Sequence, residues 1–164
     1  MSEQVRAALA KVMRGGTLTA DEAHAAMSSV MEGEATPAQL GGLLMALRMR
    51  GESVDELTGF ARAMRERVVP VSAPDDAIDT CGTGGDGSKT FNISTAAALV
   101  VVAAGVPVAK HGNRAMSSAT GSADVLEALG IPIDLDADSA ARAIATDGFA
   151  FLFAPSYHPA MRHA

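Results

Sequence analysis

Over the first 68 residues, apolar positions recur at helical spacing and are separated by short polar breaks. The first apolar stripe lies within residues 5–13 and ends at a pair of glycines. Each of the next three stripes follows a serine or threonine that has a glutamate or glutamine three residues later, which is the pattern of a capping box. The three pairs are Thr19 and Glu22, Thr36 and Gln39, and Ser53 and Glu56. The pattern predicts four helices.

The periodicity changes around Pro70 and Pro74, where turn-forming residues interrupt the helical pattern. Beyond this break, strand-like apolar runs alternate with helical ones. The predicted strands are 77–79, 106–109, 131–133 and 149–153, and the predicted helices are 95–104, 122–129 and 139–146. Such alternation is typical of an α/β domain with a largely parallel sheet. We therefore predict a helical subdomain at residues 1–70 and an α/β domain at residues 71–164.

Composition narrows the class of protein. Hydrophobic residues make up 48% of the chain, but aromatic residues make up only 4%, which favours close-packed helices over a β-sandwich. The net charge of -6 disfavours binding to nucleic acids and anionic membranes, because both are negatively charged. The start of the chain lacks the pattern of a signal peptide, and its longest apolar run is too short to cross a bilayer. With a single cysteine, Cys81, these features indicate a cytoplasmic protein.

The charge is unevenly distributed, and one stretch favours anion binding. Between Asp86 and Asp124 there is no acidic residue, whereas Lys89, Lys110 and Arg114 all lie there. Around the start of this stretch, Gly82, Gly84 and Gly87 match the spacing of a dinucleotide-binding loop, but no helix begins inside the motif. The P-loop pattern also fails, because Ser88 stands where its lysine is required. The segment is interpreted as a phosphate-binding loop, and a solvent-exposed turn without a ligand is the alternative.

Two further segments support a phosphate site. Ser94 or Thr95 is predicted to be the N-cap of the helix after the glycine-rich loop, where helix amides attract anions. The cluster 110–114 directly follows a predicted strand, and α/β proteins bind ligands at the carboxyl ends of their strands. An ordinary N-cap and a surface turn are the alternatives. Cys81 is expected to be a small buried side chain rather than a nucleophile, and His158 and His163 are not expected to bind zinc.

In order and spacing, the motifs resemble those of the anthranilate phosphoribosyltransferases. They are GTGGD at 82–86, KTFNIST at 89–95, KHGNR at 110–114, GSADVLEALG at 121–130, FLFAP at 151–155 and YHPAM at 157–161. The resemblance covers essentially the whole chain. It implies a Mg²⁺-dependent transfer of the phosphoribosyl group from 5-phosphoribosyl-1-pyrophosphate (PRPP) to anthranilate, a step of tryptophan biosynthesis that releases pyrophosphate. It also implies a homodimer in which the helical subdomain carries the contact.

The resemblance also assigns residues to the site. Those implied to bind PRPP are Gly82, Gly85, Asp86, Thr90, Asn92, Ile93, Ser94, Thr95, Lys110, His111, Gly112, Asn113, Arg114, Ala115, Met116, Ser117, Ser118 and Ser122. Ser94 is also implied to ligate Mg²⁺. Those implied to lie near anthranilate are Gly82, His111, Asn113, Tyr157 and His158. No residue is assigned as a general base, because the anthranilate nitrogen is already unprotonated near neutral pH.

Two departures from the family pattern bear on the function. Ala115 stands where the family often has serine, and members of the family are roughly twice as long as this chain. An arginine for the anthranilate carboxylate and an Asp-Glu pair for Mg²⁺ are expected in the part that this chain lacks, so we expect a truncated α/β domain. One alternative function is therefore an inactive chain that binds PRPP or only dimerises. A nucleic-acid-binding relative is the other alternative, and the net charge of -6 counts against it.

Overall fold

The computed structural model describes residues 1–82, 91–115 and 120–164. It divides into two compact units. One consists of Met1–Val68 together with His158–Ala164, and the other of Val69–Tyr157. The boundary between residues 68 and 69 lies close to the break in the sequence pattern, whereas the last seven residues, 158–164, belong to the helical unit.

The helical unit contains the four helices that the apolar stripes predict. They are α1 (Glu3–Met13), α2 (Ala20–Met31), α3 (Pro37–Arg50) and α4 (Val54–Arg65), and a 3₁₀ turn covers Pro159–His163. All three predicted capping boxes are present, with Thr19, Thr36 and Ser53 as the N-caps. The prediction of these helices is confirmed because a capping box is a local interaction that needs no tertiary partner.

Small and aliphatic side chains fill the core of the helical unit. The helices pack closely because many of the buried positions are alanine, valine or leucine. The buried set is Val5, Ala8, Val12, Leu18, Ala23, Ala26, Met27, Val30, Met31, Leu43, Leu47, Phe60 and Ala63.

The second unit is an α/β unit with a parallel sheet. Its elements are α5 (Ile93–Ala103), β1 (Val108–Gly112), α6 (Ser122–Ala128), α7 (Ala137–Asp147), β2 (Phe149–Phe153) and α8 (Ala154–Tyr157). β1 pairs with β2 in parallel, in a register that runs from Val108 opposite Phe149 to Gly112 opposite Phe153. The predicted fold class, four helices followed by an α/β domain with a parallel sheet, is confirmed.

Three predicted elements differ from the structure. Residues 77–79 form only a single parallel bridge, between Ile78 and Val108. Residues 131–133 form no strand, because Pro132 has no amide to donate, and Ile133 is buried against Leu126 and Phe151 instead. β1 begins at Val108 and extends to Gly112, so Lys110, His111 and Gly112 belong to the strand rather than to a loop after it. Pairing along the whole of β2 explains this extension.

The α/β unit has two clusters of buried apolar side chains. α6 contributes Ala123 and Leu126 to a cluster with Phe151 of β2. α7 contributes Ala140 and Ile144 to the other cluster, which contains Tyr157. Among the helices of residues 1–82, 91–115 and 120–164, none is long and apolar enough to cross a membrane.

Candidate anion-binding site

A buried lysine lies at the centre of the candidate site. Lys110 of β1 is 0% exposed, and its Nζ donates to Thr80 Oγ1 at 3.5 Å and to Ser94 Oγ at 3.4 Å. Within the described part of the chain, no carboxylate forms an ion pair with it. Two long hydrogen bonds to neutral hydroxyls are weak compensation for a desolvated ammonium.

The electrostatics of Lys110 show the cost of this burial. Loss of solvent lowers the pKa of Lys110, and the nearby side chains of Asp79 and Cys81 offset the decrease only in part. A phosphate placed against Nζ would supply the missing negative charge and raise this pKa again. The surroundings of Lys110 therefore favour an anionic ligand.

Two residues that directly follow the Ile78 bridge hold the site together. Asp79 Oδ1 accepts a hydrogen bond from the amide of Cys81 at 2.9 Å and from the amide of His111 at 3.3 Å. The hydroxyl of Thr80 donates to the carbonyl of Ser94 at 2.9 Å. These bonds bring the start of α5 and the segment 79–81 together beside Lys110 on β1.

The first turn of α5 forms one side of the site. Its N-cap is Asn92, not Ser94 or Thr95, and the helix begins at Ile93. The sequence prediction was wrong here because Thr95 is buried and its hydroxyl donates to Asn92 Oδ1 at 2.9 Å, so this threonine lies within the first turn. The first turn contains no acidic residue. First-turn amides have no acceptor within their helix, and the helix dipole makes this end attractive to anions.

The residues after β1 turn towards α6. The carbonyl of Asn113 accepts from the amide of Ala123 at 3.2 Å. The guanidinium of Arg114 donates to Asp124 Oδ1 at 3.0 Å and to the two carboxylate oxygens of Glu127 at 2.9 and 3.1 Å. These contacts raise the pKa of Arg114, with the hydrogen bonds to Glu127 contributing most. In this structure the guanidinium of Arg114 is therefore paired with two carboxylates of α6.

The residues assigned to anthranilate differ in their surroundings. Tyr157 is buried in the apolar cluster beside α7, where its hydroxyl donates to the carbonyl of Leu135 at 2.7 Å. Burial raises the pKa of this hydroxyl. His111 is half-buried on β1, Gly82 is exposed, and His158 belongs to the helical unit. Tyr157 therefore has the contacts of a core residue.

The structure places some of the predicted site residues near one another and leaves others undescribed. Ser94 accepts a hydrogen bond from Lys110, and Asn92 and Thr95 are bonded to each other at the same helix start. Ser122 begins α6 next to the end of β1. Cys81 is exposed rather than buried, because it follows the last residue that pairs with the sheet. Six predicted residues lie outside the described ranges: Gly85, Asp86, Thr90, Met116, Ser117 and Ser118.

The positioning roles of Asp79 and Thr80 were not predicted from the sequence. The available signal was their place at the carboxyl end of the predicted strand 77–79, which is where ligand sites form in α/β proteins.

A Mg²⁺ ion prefers several oxygen ligands, usually carboxylates, phosphates and water. The described residues contain no group of three or more histidine, cysteine, aspartate or glutamate side chains that could hold a metal ion. Ser94 Oγ, the predicted ligand, is a neutral hydroxyl that already accepts a hydrogen bond from the ammonium of Lys110. The described residues therefore do not fit a resident Mg²⁺ ion by themselves.

Fold and site together define a class of protein. A helical bundle is followed by an α/β unit, and a buried lysine at its parallel strands lies beside a helix start that has no acid in its first turn. This combination is typical of α/β proteins that bind a phosphate-bearing ligand.

Comparison with protein families agrees with this class. Residues 6–68 match the helical bundle domain of a glycosyl transferase family, and residues 74–164 match the a/b domain of that family. The chain belongs to this glycosyl transferase family.

The curated relatives indicate one enzyme within this family. Anthranilate phosphoribosyltransferase from Geobacillus kaustophilus is 60% identical over 156 residues, which is 95% of this chain and 46% of that protein. The enzyme of the same name from Azospirillum brasilense is 59% identical over 159 residues, or 97% of this chain and 45% of that protein. The chain thus spans about half the length of these two relatives. The resemblance to the N-terminal part of anthranilate phosphoribosyltransferases is confirmed.

Solved structures support the same relationship. The anthranilate phosphoribosyltransferase from Thermus thermophilus has a TM-score of 0.87 and 49% identity, covering 96% of this chain and 48% of that one. The enzyme from Saccharomyces cerevisiae, solved in complex with PRPP and Mg, has a TM-score of 0.83 and 25% identity, covering 99% of this chain and 50% of that one.

Proposed function

We propose that this protein is the PRPP-binding part of a cytoplasmic anthranilate phosphoribosyltransferase. The complete enzyme transfers the phosphoribosyl group of PRPP to anthranilate and releases pyrophosphate, a step of tryptophan biosynthesis. The proposal is supported by relatives of that name at 59% and 60% identity. The carried-over PRPP-binding and anthranilate-binding residues are part of the same proposal.

The observation that carries the proposal is the burial of Lys110 without a carboxylate partner among the described residues. A structural lysine in a core is normally paired, because an unpaired buried charge is costly. A lysine that binds a substrate phosphate has its partner only in the complex. The pyrophosphate of PRPP is a partner of the required charge.

The described residues suit the chemistry of this transfer. Cleavage of the bond between ribose and pyrophosphate builds negative charge on the leaving group, and Lys110 with the first-turn amides of α5 would stabilise it. One preorganised donor of this kind is typically worth about 3 kcal/mol in the transition state. The anthranilate nitrogen is a neutral nucleophile, so its positioning contributes more than a strong base would.

Mg²⁺ enters this proposal as part of the substrate complex. Since Ser94 Oγ is a neutral hydroxyl and the described residues contain no group of three or more metal-ligating side chains, the diphosphate of PRPP would provide most of the oxygen ligands of the ion. The relative from Saccharomyces cerevisiae, solved with PRPP and Mg, supports this role.

We also propose that the helical unit pairs with a second copy of the chain. α3 exposes Leu44, Met45 and Met49, and the following helix exposes Val54 and Leu57. Solvent exposure of so many large apolar side chains on adjoining elements is typical of an interaction surface. We call these five residues the α3–α4 apolar face.

The experiment that tests the proposed function is calorimetric titration of the chain with PRPP, with and without Mg²⁺. Lys110→Met keeps much of the side-chain volume and removes the charge, so we expect PRPP affinity to fall at least about tenfold. The unfolding midpoint should not fall, because the variant no longer buries an unpaired ammonium. Lys11→Met, at a partly exposed lysine of α1, is the control and should bind PRPP as the unaltered chain does.

Unchanged PRPP affinity in Lys110→Met would contradict the proposed site. Binding of PRPP without turnover by this chain would assign it the donor-binding role and place the acceptor chemistry in the remaining half of the enzyme. No PRPP binding by a well-folded chain would contradict the function proposed for it.

A further inference from the structure

One carboxylate holds both ends of the connection between β1 and α6. Asp124 lies in the first turn of α6, and its Oδ2 accepts from the amide of Ala115 at 3.1 Å and from the amide of Gly121 at 2.8 Å. Ala115 follows β1, and Gly121 is the N-cap of α6. A single oxygen atom therefore ties the segment 113–115 to the start of the helix.

The other oxygen of Asp124 makes a third contact with the same segment. Asp124 Oδ1 accepts from the guanidinium of Arg114 at 3.0 Å. The hydrogen bonds from the amides of Gly121 and Ala115, followed by the contact with Arg114, lower the pKa of the Asp124 carboxyl. The carboxylate is thus ionised at neutral pH, and its charge is directed at two amides and a guanidinium.

Close backbone packing accompanies these contacts. A Cβ atom on Gly121 would lie 2.3 Å from the amide nitrogen of Ala115 and 2.7 Å from the carbonyl oxygen of Asn113. A Cβ atom on Gly112 would lie 2.7 Å from the ring of Phe151. Both glycines let the chain approach its neighbours more closely than any other residue allows, so the segment lies directly against α6.

A helix cap alone does not explain this arrangement. An acid in the first turn of a helix needs only the contact with the N-cap amide, as between Asp124 and Gly121. The bonds to Ala115 and Arg114 reach outside the helix, to a segment continuous with the strand that carries Lys110. Asp124 also ends the acid-free stretch, where an uncompensated carboxylate would repel a phosphate.

We propose that Asp124 is a positioning residue that fixes the segment 113–115 beside the Lys110 site and so preorganises that segment for PRPP. The inference rests on the proposed function for its ligand, but the fixing of the segment can be measured without any ligand. Preorganisation raises affinity because less conformational entropy is lost on binding.

The test compares Asp124→Ala and Asp124→Asn with a matched control, Asp136→Ala. Asp136 is the N-cap of α7 and accepts from the amide of Ser139 at 2.7 Å, so it caps a helix in the same unit through a bond to its own first turn. Two quantities are measured on the full chain: amide hydrogen exchange of residues 111–115 without ligand, and PRPP affinity by calorimetry.

We expect Asp124→Ala to speed amide exchange at residues 113–115 and to weaken PRPP binding about tenfold, the effect of losing charge-assisted hydrogen bonds. Asp124→Asn retains one oxygen acceptor, so its losses should be smaller. Asp136→Ala should lower the unfolding midpoint but leave both the exchange of this segment and the PRPP affinity unchanged. If Asp124 only stabilised the fold, Asp124→Ala would lower the unfolding midpoint and leave both the exchange of this segment and the PRPP affinity unchanged.

Each outcome has a separate meaning. The inference is overturned if Asp124→Ala changes neither quantity, if exchange rises while affinity stays the same, or if Asp136→Ala weakens PRPP binding equally. If Asp124→Ala fails to fold, Asp124→Asn decides by the same criteria. If the unaltered chain does not bind PRPP, the proposed function fails, and unchanged exchange in the variants would then contradict the fixing of the segment as well.

Discussion

Glu56 in the helical unit and Lys110 in the α/β unit are long charged side chains that are fully buried. They differ in how completely their charges are paired. Glu56 accepts from the guanidinium of Arg50 at 2.6 Å with both oxygens, and from the amides of Leu18 and Ser53 at 2.9 and 2.8 Å. Lys110 has two neutral hydroxyls as its acceptors among the described residues. Complete pairing is typical of a structural charge, whereas incomplete pairing favours a role in ligand binding.

The pairing of Glu56 predicts acid-sensitive stability. Burial raises the pKa of Glu56, but Arg50 and the amides of Leu18 and Ser53 outweigh it and hold the value at about 2. This pKa is below that of glutamate in the unfolded chain, which is about 4.3. The ionised carboxylate therefore stabilises the folded state at pH values above about 4.3. The contribution is about 3 kcal/mol, since each pKa unit corresponds to about 1.4 kcal/mol, and it is lost as the pH falls through the folded pKa.

We therefore expect Glu56→Gln to lower the free energy of unfolding at neutral pH by about 3 kcal/mol, measured by urea denaturation. The difference in the free energy of unfolding between this variant and the unaltered protein should shrink as the pH falls from about 5 towards about 2. Glu22→Gln is the control, because Glu22 completes a capping box at an exposed position, where ion pairs contribute at most about 1 kcal/mol. Equal losses in the two variants would contradict a special role for the buried carboxylate.

At the scale of elements, the contact between α2 and α4 depends on a glycine. A Cβ atom on Gly59 of α4 would lie 2.1 Å from the carbonyl oxygen of Ala20 and 2.7 Å from the Cβ of Ala23. Both neighbours belong to α2, and neither is the end of a flexible side chain. The two helices can therefore pack this closely only with glycine at the contact.

Gly59→Ala should destabilise the protein by about 1–3 kcal/mol, the usual cost of overpacking, even though alanine is the better helix former. Gly41→Ala in α3 is the matched control, because nothing lies within 4 Å of a Cβ atom built there. That change should be neutral or stabilise by up to about 1 kcal/mol. Thermal unfolding of both variants gives the comparison, and a Gly59→Ala variant as stable as Gly41→Ala would show that the helices can separate at no cost.

For the whole molecule, the α3–α4 apolar face predicts the state of association. Met45 is 60% exposed and Met49 is 84% exposed, although both lie within a helix whose other face is buried in the core. Large apolar side chains of this kind are covered in stable dimers.

We expect the chain to sediment as a dimer and Met45→Glu to shift it towards the monomer, because a carboxylate buried in the contact would lose its water. Met13→Glu is the control: Met13 is 72% exposed at the end of α1, outside the apolar face, and its substitution should leave the dimer intact. Sedimentation velocity distinguishes the two states. A monomeric unaltered chain at all accessible concentrations would contradict the proposed pairing.

The sequence by itself determined the helical unit and most of the elements of the α/β unit. The capping residues Thr19, Thr36 and Ser53 act on amides three residues away, so their effect needs no knowledge of the rest of the fold. The run 149–153 was also predicted with its exact limits, because a continuous apolar run next to the helix-ending Gly148 is a local signal. The motifs likewise indicated the family that the comparisons confirm.

Tertiary structure alone decided which groups meet. No local pattern shows that Lys110 loses all contact with water, that Asp79 holds the amide of His111, or that Asp124 bridges Ala115 and Gly121. The same holds for Tyr157, whose hydroxyl is held by a carbonyl far away in the sequence. Burial and long-range hydrogen bonds depend on how elements pack, and packing is a property of the assembled chain rather than of any segment.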